Sequence, residues 1–265
     1  MLNVLIRKKS DSRARRSRRY DRNGRYKRIC DENGDLFSGQ WKNNEKHGFG
    51  TLEGENDGIV YEGSWDKNKK DGKGRMHRKD SLFQFIYNGN WKKNKRNGEG
   101  AEFYGDGGRY QGGWRRDAKS GFGRMDYADG STYVGHWKDD EKAGFGKMWY
   151  ADGATYEGCW RDDRKDGKGI LITAEKNRHE GCWRRDLKHG EGRKHVHENG
   201  MEFAGLWMDS YLCCGTVEVT DPDAPFPMKA EIPEWTLRNP KEVLDNAKEY
   251  YRAKAAETDH STPLN

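Results

Sequence analysis

The feature that most constrains this chain is a motif that recurs about every 23 residues. An aromatic residue is followed two positions later by glycine and four positions later by tryptophan, and the tryptophans are 23–26 positions apart. Eight of the ten tryptophans in the chain belong to this series, and Gly-x-Gly begins seven residues after each of the first seven. A fixed period of this length indicates an array in which each repeat packs only on its neighbours.

We predict that the residues of this motif build the repeats. Glycine weakens most strands, but here it leaves a gap that a neighbouring aromatic ring can cover. The predicted repeat-forming residues are Gly39, Trp41, Tyr61, Gly63, Trp65, Tyr87, Gly89, Trp91, Tyr110, Gly112, Trp114, Tyr133, Gly135, Trp137, Tyr156, Gly158, Trp160, Gly181, Trp183, Phe203, Gly205 and Trp207.

The sequence of each repeat predicts two short antiparallel strands. Strand alternation places Tyr133, Gly135 and Trp137 on one face and Val134 and His136 on the other. The third residue after each tryptophan is Asn, Asp or Ser, which we expect to form a turn by bonding its own backbone. A second strand follows and ends at Asp-Gly or Asn-Gly in several repeats, a pattern typical of a tight hairpin.

Composition agrees with an aromatic rather than an aliphatic core. Leu, Ile, Val and Phe make up about 13% of the chain, below the ~20% under which disorder is usual. Disordered chains also have few aromatic residues, whereas Phe, Trp and Tyr make up 12% here, alongside 34 glycines. The sequence therefore predicts an all-β fold, a single-layer antiparallel β-hairpin solenoid of about eight repeats.

This 23-residue unit resembles the MORN repeat (membrane occupation and recognition nexus), whose pattern is close to Tyr-x-Gly-x-Trp-x₆-Gly-x-Gly-x₃-Tyr-x-Asp-Gly. The resemblance covers roughly residues 35–215. It departs from the pattern at His179, which replaces the leading tyrosine, and in the last repeat, which lacks the second glycine. We interpret the last repeat as a C-terminal cap, because it has no following neighbour.

The segments that flank the array differ from it in charge and composition. Residues 1–28 hold twelve Lys or Arg and two acidic residues, a net charge of +10, which leaves the remainder at −4. We predict a basic arm (1–28), the repeat array (29–216), a Pro-containing extended tail (217–239), an amphipathic helix (240–256) and a disordered tail (257–265).

The helix is predicted from residues typical of a helix N-terminus and from the spacing of the apolar residues that follow. Asn239 can cap the N-terminus, and Pro240 suits the first helical position. An apolar face follows at helical spacing and docks either on the chain's own repeats or on a partner. The residues of this candidate partner-binding face are Val243, Leu244, Ala247 and Tyr250.

A basic residue lies five positions after the tryptophan in each of the first seven repeats. One interpretation is that these side chains pack their stems over aromatic surface. The other is a charged row that meets an acidic protein or anionic lipid. The row comprises Lys46, Lys70, Arg96, Lys119, Lys142, Lys165 and Lys188, and the arm adds Arg15, Arg16, Arg18 and Arg19 as candidate partner-binding residues.

No motif in the sequence indicates catalysis. The Gly-x-Gly pairs lack the third glycine of a dinucleotide site, and no phosphate-binding loop ends in Gly-Lys-Ser or Gly-Lys-Thr. His195 and His197 have no further ligand at a metal-binding spacing, and Cys159 and Cys182 are expected too far apart for a disulfide. We therefore predict no enzymatic activity, no metal and no cofactor.

The function expected from these features is that of a structural scaffold. The chain also resembles the short sperm- and cilium-associated members of the MORN family, which implies a place in the axoneme or another microtubule structure. The alternatives are a soluble adaptor in spermatogenesis or a linker between phosphoinositide membrane and cytoskeleton, at the acrosome or on vesicles. Proteins are the expected partners, with anionic lipid second. Nucleic acid binding, a transmembrane segment and an export signal are not expected.

Overall fold

The computed structural model describes residues 22–31, 33–80 and 85–219, and all regular secondary structure in these residues is β-strand. This confirms the predicted all-β antiparallel fold. The predicted helix over 240–256 and the predicted tail over 257–265 lie outside the described residues. The predicted tail over 217–239 also does, except for residues 217–219, which belong to a β-strand rather than to a tail.

The strands are short and follow one another with brief connections. Their bounds are β1 Gly24–Cys30, β2 Leu36–Lys42, β3 Glu45–Glu53, β4 Ile59–Asp66, β5 Lys69–Arg78, β6 Phe85–Lys92, β7 Lys95–Phe103, β8 Arg109–Arg115, β9 Ala118–Asp126, β10 Thr132–Lys138, β11 Glu141–Trp149, β12 Thr155–Arg161, β13 Arg164–Ile172, β14 Arg178–Arg184, β15 Leu187–Val196, β16 Met201–Met208 and β17 Tyr211–Val219.

The chain divides into two compact units, with β8 contributing residues to both. In the first unit, each strand from β1 to β7 pairs antiparallel with the next. In the second unit, the same holds from β9 to β17. A repeat inside the second unit, such as β10–β11, is thus one hairpin that pairs with β9 on one side and with β12 on the other.

A row of paired glycines crosses the strands of each unit. Gly135 on β10 is opposite Gly146 on β11 and Gly123 on β9. A Cβ atom added at Gly135 would lie 2.5 Å from the Gly146 Cα and 2.5 Å from the hydroxyl of Tyr133, so no larger residue fits. The Tyr133 ring lies across this glycine pair, which explains why the strands carry glycine at the centre of a sheet.

The tight turn of each repeat is formed by two residues, and the side chain of the second bonds to a different partner than predicted. In β10–β11 only Asp139 and Asp140 form the turn, both with positive φ (49° and 74°), the geometry of a type I′ hairpin. The prediction that the third residue after the tryptophan bonds its own backbone is wrong. The Asp163 carboxylate instead accepts the backbone N–H of Lys142 in the preceding repeat at 2.9 Å. The hairpin ladder already closes the turn, so the side chain is free to reach its neighbour.

The Asp-Gly sequences are also not the tight hairpins we expected. The connection between β9 and β10 takes five residues, because the Tyr127 N–H donates to the Ser131 carbonyl at 2.8 Å and the Gly130 N–H to the Tyr127 carbonyl at 3.1 Å. Gly130 has a φ of 91°, which a residue with a side chain rarely adopts. Asp-Gly therefore marks the wider loop between repeats.

Both ends of the described chain differ from the sequence prediction. Strand β1 begins at Gly24, inside the segment assigned to the basic arm, and pairs with β2. In the last repeat, Gly215 pairs with Gly205 and takes the place of the glycine that we considered missing. The register shift within this hairpin skips one residue fewer than in β10–β11, which brings Gly215 into the row.

Candidate protein-interaction surface

The face that carries the motif is a continuous ladder of rings within each unit. Tyr156 lies between its own Trp160, with ring centroids 5.1 Å apart, and Trp183 of the next repeat at 5.5 Å, both edge-to-face. Tyr133 lies between Trp137 and Trp160 in the same way. These leading rings are fully buried, so most of the apolar surface of each repeat is covered by the repeat that follows.

The polar atoms of these rings bond to the backbone. The Trp160 indole N–H donates to the carbonyl of Gly146 in the preceding repeat at 3.2 Å, and Trp183 does the same to Gly169. The Tyr156 hydroxyl donates to the Cys159 carbonyl at 3.0 Å, and burial raises the pKa of this phenol well above its usual value. This face is therefore engaged in its own packing.

His179 occupies the place of a leading tyrosine and makes the same edge-to-face contacts with the tryptophans on either side. Its ring centroid lies 5.3 Å from Trp183 and 5.0 Å from Trp207, and only 3% of the residue is exposed. Neither ring nitrogen has a hydrogen-bond partner in the described residues. Burial, with repulsion from Lys188 and Lys194, lowers the pKa of His179 to about 3, which keeps the imidazole neutral.

The basic row lies on this same face, over the aromatic rings. Each charged group is placed over the tryptophan of the following repeat. The distances from the cation to the ring centroid are 5.5 Å for Lys46, 4.9 Å for Lys70, 4.1 Å for Arg96, 4.9 Å for Lys119, 4.9 Å for Lys142, 5.3 Å for Lys165 and 5.2 Å for Lys188. This is the geometry of cation–π contacts.

Burial and nearby carboxylates reduce the positive charge that the basic row can present to a partner. Desolvation lowers the pKa of Lys70, Lys165 and Lys188. Lys46 forms an ion pair with Asp31 at 3.3 Å, and its side chain is only 12% exposed. The arrangement matches the interpretation in which basic side chains pack on the ladder, and it leaves few of these charges at the surface.

The opposite face exposes large aromatic residues at one position of the repeat. Phe49, Phe122 and Phe145 follow their tryptophans by eight residues and are 58%, 61% and 56% exposed. Sequence reasoning missed them, although the recurrence of Gly-Phe-Gly was a signal. The same position holds Lys73, Glu99, Lys168 and Glu191 in other repeats, so the fold does not require an aromatic residue there.

Two of these phenylalanines form a patch in the second unit, which we call the Phe122–Phe145 patch. It comprises Phe122, His136, Phe145 and Cys159 on the consecutive strands β9 to β12. The ring centroids of Phe122 and His136 are 5.6 Å apart, and the His136 Nδ1 hydrogen-bonds the Phe145 carbonyl at 3.1 Å.

Charged pairs border the patch. Lys147 and Glu157 form an ion pair at 2.8 Å, and the Arg124 guanidinium lies 2.8 Å from Asp126. An exposed apolar cluster with a polar rim is the usual anatomy of a protein interface.

The other predicted partner-binding residues belong to the arm and to the predicted helix. Arg15, Arg16, Arg18 and Arg19 lie outside the described residues, as do Val243, Leu244, Ala247 and Tyr250. Among the described residues, no cluster of His, Cys, Asp and Glu is suited to a metal ion, and no helix is long and apolar enough to cross a membrane. All five cysteines lie in the described part and are unpaired.

Three matches among solved structures are distant. The TCP domain of Drosophila melanogaster SAS-4 in complex with a proline-rich motif of Ana2 is 10% identical, with a TM-score of 0.29, over 68% of this chain and 88% of that one. The TCP10 domain of Danio rerio CPAP matches at 10% identity and a TM-score of 0.22, over the same shares. A streptogramin B lyase is 11% identical with a TM-score of 0.17, over 79% of this chain and 72% of that one. A comparison with curated proteins gave no match.

The sequence profile of the MORN repeat, in contrast, matches seven consecutive segments that together cover more than half of the chain. They are residues 37–59, 61–82, 87–109, 110–132, 133–155, 156–178 and 179–195. Each begins at the leading aromatic residue, or at His179, which replaces it. The chain therefore belongs to the MORN-repeat family.

Proposed function

We propose that this protein is a non-enzymatic scaffold that binds other proteins through the Phe122–Phe145 patch. The observation that carries this proposal is the exposure of Phe122 and Phe145 on the face that the repeats do not use for their own packing. Two neighbouring exposed aromatic residues cost solubility and contribute nothing to the buried ladder, so we infer that a partner covers them.

We further propose that the partner belongs to the axoneme of cilia or flagella, or to another microtubule structure. Two features support this setting: the resemblance to the short sperm- and cilium-associated members of the family, and the net charge of +10 on residues 1–28. Microtubule surfaces are acidic, so the arm would speed encounter while the patch would hold the complex together. In this proposal the apolar face of 240–256 is a second contact.

The test is retention of the full-length tagged chain in detergent-extracted axonemes of ciliated cells. We expect the wild-type chain to stay with the axoneme and the double variant Phe122→Ser, Phe145→Ser to be released. The matched control is Lys168→Ser, which changes the same position of the next repeat where this chain is already polar. Equal retention of the double variant and the wild type would contradict the role of the patch.

The alternative functions are separate outcomes of this fractionation. Release of the wild-type chain with the soluble fraction would favour an adaptor that tethers regulatory proteins during sperm formation. Release with the membrane fraction would favour a linker between phosphoinositide membrane and cytoskeleton, at the acrosome or on vesicles. Either result would contradict the axonemal proposal.

A further inference from the structure

The last repeat leaves open a position that the next repeat fills everywhere else in the second unit. His179 lies between Trp183 and Trp207, but Phe203, the next leading aromatic residue, has no tryptophan of a following repeat within the described residues. Phe203 is accordingly half-buried, whereas the leading residues before it are buried. An apolar groove remains on this side of β16 and β17, lined by Phe203, Trp207, Leu212, Cys213, Val217 and Lys194.

The groove corresponds to the site that holds a tryptophan ring in the preceding repeat. In the preceding repeat, Lys188 lies over the incoming Trp207, and the Gly192 carbonyl accepts the Trp207 indole N–H at 3.1 Å. The equivalent residues of the last repeat are Leu212 and Gly215. Leucine in place of the basic residue makes the contact apolar, and the glycine carbonyl supplies the same acceptor.

We propose that Trp235 of the same chain occupies this groove and closes the array. The described chain ends at Val219 on β17, beside the groove, and Trp235 lies 16 residues further on. It follows Trp207 by 28 positions, close to the repeat spacing of 23–26, so the chain has ample length to return. Trp149 is the other tryptophan outside the motif, and it lies on β11.

Charge favours this segment over a second copy of the chain. Lys194 lines the groove on the ladder face, where other repeats carry Met148 or Leu171. Glu231 and Glu234 lie four positions and one position before Trp235, and would bring negative charge to Lys194. Strand β1, through which a second copy could add to β17, carries Arg25, Lys27 and Arg28 and would bring further positive charge to Lys194.

The reactivity of Cys213, which lines the groove, measures whether the groove is occupied. We propose limited labelling of the full-length chain with iodoacetamide, quantified for each cysteine by mass spectrometry. Trp235→Ser is expected to speed alkylation of Cys213 at least about fivefold, because a groove that is held closed exposes the thiol only during local opening. Cys30, exposed on β1, should react equally in both proteins.

Matched variants separate the possible outcomes. Trp235→Phe should restore most of the protection, since it keeps a ring, and Trp149→Ser should leave labelling of Cys213 unchanged. Equal labelling of Cys213 in the wild type and in Trp235→Ser would overturn the proposal. Protection that disappears on dilution of the wild type would also overturn it, because the occupant would then be a second copy.

Discussion

At the scale of the residue, the fold depends on positions where no side chain fits. Gly135 faces Gly146, and the ring of Tyr133 closes over both. The neighbours at this point are backbone atoms and a buried ring, which cannot move aside without disturbing two strands. The same arrangement at Gly158, Gly169 and Tyr156 makes this a property of the repeat.

Replacing Gly135 with valine should therefore destabilise the protein. We expect a loss of about 1–3 kcal/mol in the free energy of unfolding, the usual cost of overpacking a core. Val134→Thr, on the opposite face, is the control and should change the free energy of unfolding by less than about 0.5 kcal/mol. Thermal or urea unfolding of the two variants measures this. Equal losses would contradict the assignment of faces.

His179 should make the stability sensitive to acid. Its pKa is about 3 in the folded protein and 6.5 in the unfolded chain, so only the unfolded state binds a proton between these values. Stability contributed by the neutral imidazole is present above pH 6.5 and is lost as the pH falls from 6.5 towards 3, by about 1.4 kcal/mol per pH unit.

His179→Tyr should abolish that loss, because tyrosine does not titrate in this range and its hydroxyl can bond to the backbone as Tyr156 does. The measurement is the urea midpoint of both proteins from pH 7 to pH 4. If the difference between their midpoints stays constant across this range, His179 is not the group responsible.

At the scale of the element, neighbouring hairpins are joined through their turns. The Asp163 N–H donates to the Lys142 carbonyl at 3.2 Å while its carboxylate accepts the Lys142 N–H at 2.9 Å. The same pairing joins Lys165 to Asp186 and Lys119 to Asp140. The turn thus fixes the position of one repeat on the next.

Asp163→Ala should cost about 1–2 kcal/mol of unfolding free energy, because a backbone N–H loses its acceptor and alanine is placed at a φ of 63°. Asp163→Asn keeps an acceptor oxygen and tolerates positive φ, so it should unfold close to the wild type. Chemical denaturation distinguishes the two. If the asparagine variant loses as much as the alanine variant, the carboxylate charge rather than the hydrogen bond matters.

At the scale of the whole molecule, net positive charge is concentrated in residues 1–28. Residues 1–28 carry a net charge of +10 and the remainder carries −4, while the basic row packs on rings. Any attraction to anionic surfaces should therefore come from the arm and fall with salt.

Phosphoinositide vesicles test this with the full-length chain. Changing Arg15, Arg16, Arg18 and Arg19 together to glutamine should abolish most of the capture measured at low salt, whereas Lys142→Gln should leave capture unchanged and lower the melting temperature. Deletion of residues 1–28 is a poorer test, because it removes part of β1. Undiminished capture of the arginine variant would assign lipid binding to the repeats.

The sequence alone determined the strands, the faces and the family, because period, alternation and the glycine–aromatic pairing act within one repeat or between neighbours. It did not determine what the side chains at the turns do. Whether Asp163 bonds its own backbone or that of Lys142 depends on where the preceding hairpin lies, and only the assembled sheet decides this.

Dependence on the assembled sheet also explains what else the sequence analysis missed. The last repeat was predicted to lack its second glycine because the register of Gly215 depends on how β17 pairs with β16, and a one-residue change in a bulge does not appear in the sequence. Lys142 and Phe145 lie on opposite faces of β11; the first packs over rings, and the second is 56% exposed. Local sequence fixes the face on which each residue lies, but only tertiary packing decides whether a neighbour covers it.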